Sequence, residues 1–358
     1  MKYTKTGLRL ALLLTSFTIT VAIAPIIRSS SKTRAAGPAQ QAKPAPPADK
    51  SKQAGQSSNP AAQNDQTIKL GAALVTVPFN VTDKHNAYVN DLKKEDIELL
   101  EDNKMQTLFS FERQTDLPIT IAMLIDISGS ESYTLPSETS AGGRFFAKVL
   151  RPNKDLGAVV TFESEAVLVQ DLTENPERLQ DALRRVRPSL VDASTGSVSG
   201  TPPIVNSNTG STALYDAVYS VSSDLLQREA GRRVIILITD GFDTSSSLKV
   251  KDAIEAAWKH EIIVYSIGIG DPLAGGVNTQ LLKRLASETG GRAFFPRRDN
   301  DLDSAFSQID DDLRQQYIVS YEPTNEAHDG SFRTIQVRVK DKKELTVRYR
   351  RGYFAPKG

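Results

Sequence analysis

The chain contains no cysteine, a single tryptophan and only three histidines in 358 residues. Without cysteine there are no disulfides, no thiolate metal sites and no cysteine nucleophile. Three imidazoles, at His85, His260 and His328, leave little for zinc chemistry or for a serine–histidine hydrolase, and none stands beside a serine in a G-x-S-x-G elbow. Charge of one sign is lacking too: 44 basic residues face 43 acidic ones. With no basic stripe interleaved with aromatics, the composition argues against a nucleic-acid partner. A Lys-Ser/Thr after a glycine loop is missing, so the glycines of SIGIGD at 266–271 fit neither common nucleotide-binding pattern.

Long hydrophobic runs are absent except at the start. Lys2, Lys5 and Arg9 precede the mostly apolar stretch 10–27, the layout of an export signal. Ala22-Ile23-Ala24 resembles a cleavage site, and Pro25 after it disfavours cleavage, so a retained membrane anchor is the rival reading. Either way the bulk of the chain is expected outside the cytoplasm, secreted, periplasmic or held at the cell envelope. Residues 28–66 are rich in Ser, Ala, Pro, Gln and Lys and read as a linker.

Two segments carry the chemistry: ITIAMLIDISGS at 119–130 and RRVIILITDGFD at 232–243. Each is an apolar, β-branched run without polar alternation, the signature of a strand covered on both faces. Asp126 and Asp240 then sit at strand C-termini, the edge where open α/β sheets bind ligands. Ser128 and Ser130 add hydroxyls, and Thr212, at the start of a helical pattern, adds a third. Asp126, Ser128, Ser130, Thr212 and Asp240 form an all-oxygen set suited to a hard cation such as Mg²⁺ or Mn²⁺. Two carboxylates and three neutral hydroxyls leave room for an incoming acidic group. Asp243 reads as a helix cap.

In these residues the chain resembles the von Willebrand factor type A domain family, whose metal-ion-dependent adhesion site has the order D-x-S-x-S, Thr, Asp. The resemblance implies a doubly wound, Rossmann-like domain with a mainly parallel sheet over residues 117–316. It further implies that the five named residues hold the metal and that a partner's Asp or Glu completes its shell. The Ser, Thr, Gly and Pro-rich stretch 191–210 before Thr212 is longer than usual for the family.

Within 117–316, strand-like runs at 155–162, 232–239 and 262–269 alternate with helical patterns at 176–186, 211–227, 248–260 and 279–289, a βα rhythm. Residues 166–172 follow too closely for a crossover and predict an antiparallel edge strand. Gly290-Gly291 predicts a helix stop before a last strand at 292–295. Segments 67–116 and 317–358 alternate with period two, each too small for its own core. The expectation is one β-sandwich built from both ends, with the α/β domain inserted. These ends also resemble those of bacterial exported proteins related to the same family, closing here on Tyr349-Arg350-Arg351-Gly352-Tyr353. The sequence therefore predicts an exported, non-enzymatic protein that captures an acidic side chain of a protein partner. The alternative is a structural or envelope-organising protein in which metal is absent or only supports the fold.

Overall fold

The computed structural model describes residues 74–114, 116–189, 211–270, 275–342 and 344–358. The expected export segment, the linker at 28–66 and the stretch 191–210 lie outside them. Among the described residues no helix is long and apolar enough to cross a membrane.

The chain enters through β1 (Val75–Thr82), β2 (Ile97–Glu101), β3 (Lys104–Met105) and β4 (Leu108–Gln114). It then runs β5 (Ile119–Asp126), α1 (Leu135–Val149), β6 (Leu156–Phe162), β7 (Ala166–Thr173), α2 (Pro176–Arg185), α3 (Leu214–Ser220), β8 (Arg232–Thr239), α4 (Val250–Lys259), β9 (Ile262–Gly268), α5 (Thr279–Thr289), β10 (Ala293–Phe294) and α6 (Asp299–Arg314). It closes with β11 (Gln316–Tyr321), β12 (Phe332–Val339), β13 (Thr346–Tyr349) and β14 (Gly352–Phe354).

The central sheet has the order β10-β9-β8-β5-β6-β7. Every pairing is parallel except β6 with β7, because the turn between those two strands has no room for a crossover. All eight residues of β5 are buried, as a strand covered on both faces requires. Its alternate residues divide between two cores. Ile119, Ile121, Met123 and Ile125 pack with α1, α2 and α6, whereas Ala122 and Leu124 pack with α3, α4 and α5. The chain winds outward from β5 to β6 on one side and from β8 to β9 on the other. The strand order therefore reverses between β5 and β8, and the crevice at their C-terminal ends is the topological switch point where such sheets bind ligands.

Helix α1 is not among the patterns read from the sequence, and its composition explains why: LPSETSAGGRFFAKV mixes Ser, Thr and two glycines into its fifteen residues, all weak helix formers. Packing supplies the reason for a glycine. A Cβ at Gly142 would lie 2.7 Å from the Met123 sulfur, so the helix can approach the sheet this closely only without one. The helical pattern at 211–227 is shorter than expected, since α3 gives way to a π turn at Val221–Leu225. Gly290 ends α5 in the left-handed conformation, φ 91°, as the Gly-Gly pair predicts.

The two ends of the chain interleave. One four-stranded sheet has the order β13-β1-β11-β4 and the other β14-β12-β2-β3, so each mixes strands from both terminal segments. They share a core of Val77, Phe79, Leu99, Tyr317, Val319, Ile335 and Val337. The three inward positions expected on β12, Ile335, Val337 and Val339, are buried. Two basic residues near the C-terminus are tied into the fold. Arg348 pairs with Asp312 at 3.2 Å, and Arg350 binds Glu261 at 2.9 Å and the Thr76 carbonyl at 2.8 Å. With Trp258 stacked on Phe332 at 4.4 Å, they join the sandwich to the α/β domain.

Asp155 anchors the opposite end of β5 from the candidate site. Its carboxylate accepts hydrogen bonds from the Ile119 backbone N–H at 2.9 Å and from Arg151 Nε at 2.7 Å. Burial raises its pKa, but the bonds from Arg151 and Ile119 outweigh that and hold it below the usual carboxylate range. Asp155→Ala is expected to cost on the order of 2 kcal/mol at pH 7 in urea denaturation, since it strands the buried Ile119 N–H and removes one of the ion pairs of Arg151. A depressed carboxylate contributes its stability above the unfolded pKa and loses it as pH falls through the folded one. The gap between variant and parent should therefore begin to narrow below about pH 4 and close only as pH falls further, through the depressed folded pKa.

Candidate metal centre

Strands β5 and β8 lie side by side in parallel, Ile125 opposite Ile238, so Asp126 and Thr239 arrive together at the carboxyl edge. Thr239 Oγ1 donates to one Asp126 oxygen at 2.6 Å and the Ser128 backbone N–H donates to the other at 3.0 Å. The loop after Asp126 then turns back over the edge. Ser128 Oγ lies 3.1 Å from Ser130 Oγ, and Ser130 Oγ donates to Asp240 at 2.9 Å. Asp240 is further fixed by the Phe242 backbone N–H at 3.0 Å, while its own carbonyl accepts from Asn278 at 2.7 Å. Four of the five expected residues thus form one connected group spanning 114 positions of sequence.

Thr212 comes from another direction. It is buried, its N–H donates to Thr244 Oγ1 at 2.8 Å and its carbonyl accepts from the Thr244 N–H at 2.9 Å. It is therefore pinned to the loop that carries Asp240. Among the described residues its side chain makes no hydrogen bond to the other four.

The site holds more negative charge than the five residues account for. Glu131, directly after Ser130, is fully buried, and its carboxylate comes within 4.8 Å of those of Asp126 and Asp240. Glu138, in the first turn of α1, is buried as well. Asp126 is pushed up to about 6, mainly by burial, with the charge of Asp240 adding to it. Burial also raises the carboxyls of Glu131 and Glu138, and the repulsion of Asp126 adds to both. Thr239, Glu131 and Glu138 escaped the sequence reading. An acid directly after the second serine was the available signal for Glu131; Glu138 lay in a helix whose pattern was itself obscured.

The donor set fits a hard divalent cation. All groups are oxygen, the hydroxyls of Ser128, Ser130 and Thr239 link the two carboxylates at hydrogen-bonding separations, and Glu131 Oε1 is buried with no partner of its own. None of the three histidines stands at this edge: His85 is in the turn after β1, His260 caps the C-terminus of α4, and His328 is in the loop before β12. A general base for serine nucleophilic chemistry is not supplied by these positions.

A doubly wound α/β domain with an oxygen-donor site at its switch point defines the class of protein. The family model of the von Willebrand factor type A domain matches residues 120–308, and the chain belongs to that family. No curated protein matches the chain. Among solved structures, proximal thread matrix protein 1 from the mussel byssus aligns at 18% identity and a TM-score of 0.45, over 60% of this chain and 51% of its own. The same mussel protein with a zinc-occupied MIDAS motif aligns at 19% identity and 0.45, over 58% and 48%. A von Willebrand factor type A protein from Catenulispora acidiphila aligns at 13% identity and 0.45, over 80% and 75%. The chain spans about half the length of the mussel protein.

Proposed function

We propose that the protein is an exported, non-enzymatic binding protein that captures an acidic side chain of a protein partner through a divalent cation, Mg²⁺ or Mn²⁺. Asp126, Ser128, Ser130, Thr212 and Asp240 would hold the ion, within a metal-binding domain of residues 117–316 carried on the sandwich of 67–116 and 317–358. The observation that carries this reading is the linked group Asp126, Ser128, Ser130 and Asp240 at the sheet's switch point. When bound, the ion supplies a Lewis-acidic position that a carboxylate can occupy. The chain's own residues do the rest. Thr239 and the Ser128 N–H orient Asp126, and the Phe242 N–H orients Asp240.

The loops around the site bear exposed aromatics. Tyr133 follows Ser130 by three positions and is 89% exposed; Phe242 follows Asp240 by two and is 39% exposed. Exposed aromatic side chains beside a charged anchor are the residue types that carry much of the energy at interfaces. They point to a partner that sets apolar surface around its acidic group. The test is selection of Asp- and Glu-containing displayed peptides against the protein in Mg²⁺. Selected peptides are expected to lose binding in EDTA, and Tyr133→Ala or Phe242→Ala to weaken it about tenfold with ion binding unchanged. Binding that ignores the chelator would overturn the reading in favour of a structural or envelope-organising role.

A further inference from the structure

The loop that begins with Asp126 runs straight into an acid. Glu131 closes the short 3-10 turn Gly129–Glu131 and its side chain is wholly buried. One of its oxygens, Oε2, accepts the Thr134 hydroxyl at 3.0 Å. The other, Oε1, is buried without any hydrogen-bond partner. A local capping role accounts for the first oxygen and leaves the second unexplained, and a buried carboxylate oxygen without a partner is costly. Oxygens of Glu131, Asp126 and Asp240 converge within 4.8 Å of one another, a distance at which three like charges repel until protons or a cation neutralise them. Behind them Glu138 is buried against Thr134 and Glu131, which adds a further acid to the same corner.

We propose that Glu131 is a direct ligand of the metal, so that the site carries three carboxylates in place of two. This rests on the metal-binding reading above. Two carboxylates balance a divalent ion; a third favours tight retention of the ion, and a partner's carboxylate would then take the place of Glu131 on the ion when it binds. Glu131 is thus a determinant of ion affinity contributed by the same loop as Ser128 and Ser130.

The experiment is Mn²⁺ binding by the full chain, followed by electron paramagnetic resonance, in the parent and in Glu131→Gln, Glu138→Gln, Thr134→Val and Asp240→Ala. Glutamine retains an oxygen for the Thr134 hydroxyl and removes the charge. Thermal melting without metal checks that each variant folds, and Glu131→Gln is expected to melt no lower than the parent. Glu131→Gln should weaken Mn²⁺ binding at least about tenfold, the scale of losing one interaction at a metal site. Glu138→Gln, which changes the field without removing a ligand, should weaken it less, and Thr134→Val should leave it within about twofold by the same scale. Equal binding by Glu131→Gln and the parent, or equal losses from Glu131→Gln and Glu138→Gln, would overturn the proposal while leaving the five-residue site intact. An absence of bound Mn²⁺ in the parent would overturn both.

Discussion

Asp126→Asn is expected to stabilise the metal-free protein and to disable its metal site. The carboxyl of Asp126 is raised from 3.8 to about 6, chiefly by burial. Keeping it ionised at neutral pH therefore costs on the order of 3 kcal/mol relative to a solvated carboxylate. Asparagine is close in shape and uncharged. It keeps an acceptor for either the Ser128 N–H or the Thr239 hydroxyl, although not for both as ideally as the carboxylate does. A net gain of about 1–2 kcal/mol in the metal-free state is the expected result, once that loss is set against the relief of desolvation and repulsion. The same change removes a ligand, and ion affinity should fall by more than about 100-fold. Chemical denaturation with and without Mn²⁺ reads both effects. A variant less stable than the parent without metal would mean that Asp126 is chiefly a structural acceptor. A variant still stabilised by Mn²⁺ would remove it from the site.

The second large effect is a pH dependence that reverses with metal. A group whose folded pKa lies above its unfolded one binds more protons in the folded state within that window, so stability falls as pH rises through it. For Asp126 the window runs from 3.8 to about 6, and the raised carboxyls of Glu131 and Glu138 extend the same trend toward higher pH. Metal-free protein is expected to lose stability between about pH 4 and neutrality from this corner of the molecule, with Asp155 acting in the opposite sense at lower pH. Ion binding needs the carboxylates deprotonated, so its stabilisation grows over the same range. At a thousandfold excess over the dissociation constant the gain is about 4 kcal/mol, or roughly 5–7 °C in melting temperature for a chain of this size. Melting curves from pH 4 to 8, with EDTA or with Mg²⁺, should therefore diverge as pH rises. Curves that stay parallel would show that the buried acids do not bind the ion.

Where the sequence was informative and where it was silent has a physical basis in particular residues. β5 and β8 stood out because a strand buried on both faces has no polar alternation, and the family's D-x-S-x-S, Thr, Asp order named the five oxygen donors. The sandwich was legible from period two alone: Ile335, Val337 and Val339 alternate with Gln336 and Arg338, and all three apolar positions are buried. Helix α1 was obscured because Gly142 is there for close packing on Met123, a tertiary reason that local propensity cannot register. Glu131 and Glu138 were missed for a related cause. An acid near a helix start reads as ordinary capping and dipole chemistry, and only their full burial distinguishes these two. The partners of the C-terminal arginines were not legible either, since a strand-face charge and an ion pair such as Arg350 with Glu261 look alike until the partner element is placed.

The central claim, a cation site made by Asp126, Ser128, Ser130, Thr212 and Asp240, is tested most directly by counting Mn²⁺ ions bound to the full chain by electron paramagnetic resonance, with Asp240→Ala alongside. The account predicts one bound ion per chain in the parent and none in the variant. No bound ion in the parent, or the same ion bound equally well by the variant, would contradict it.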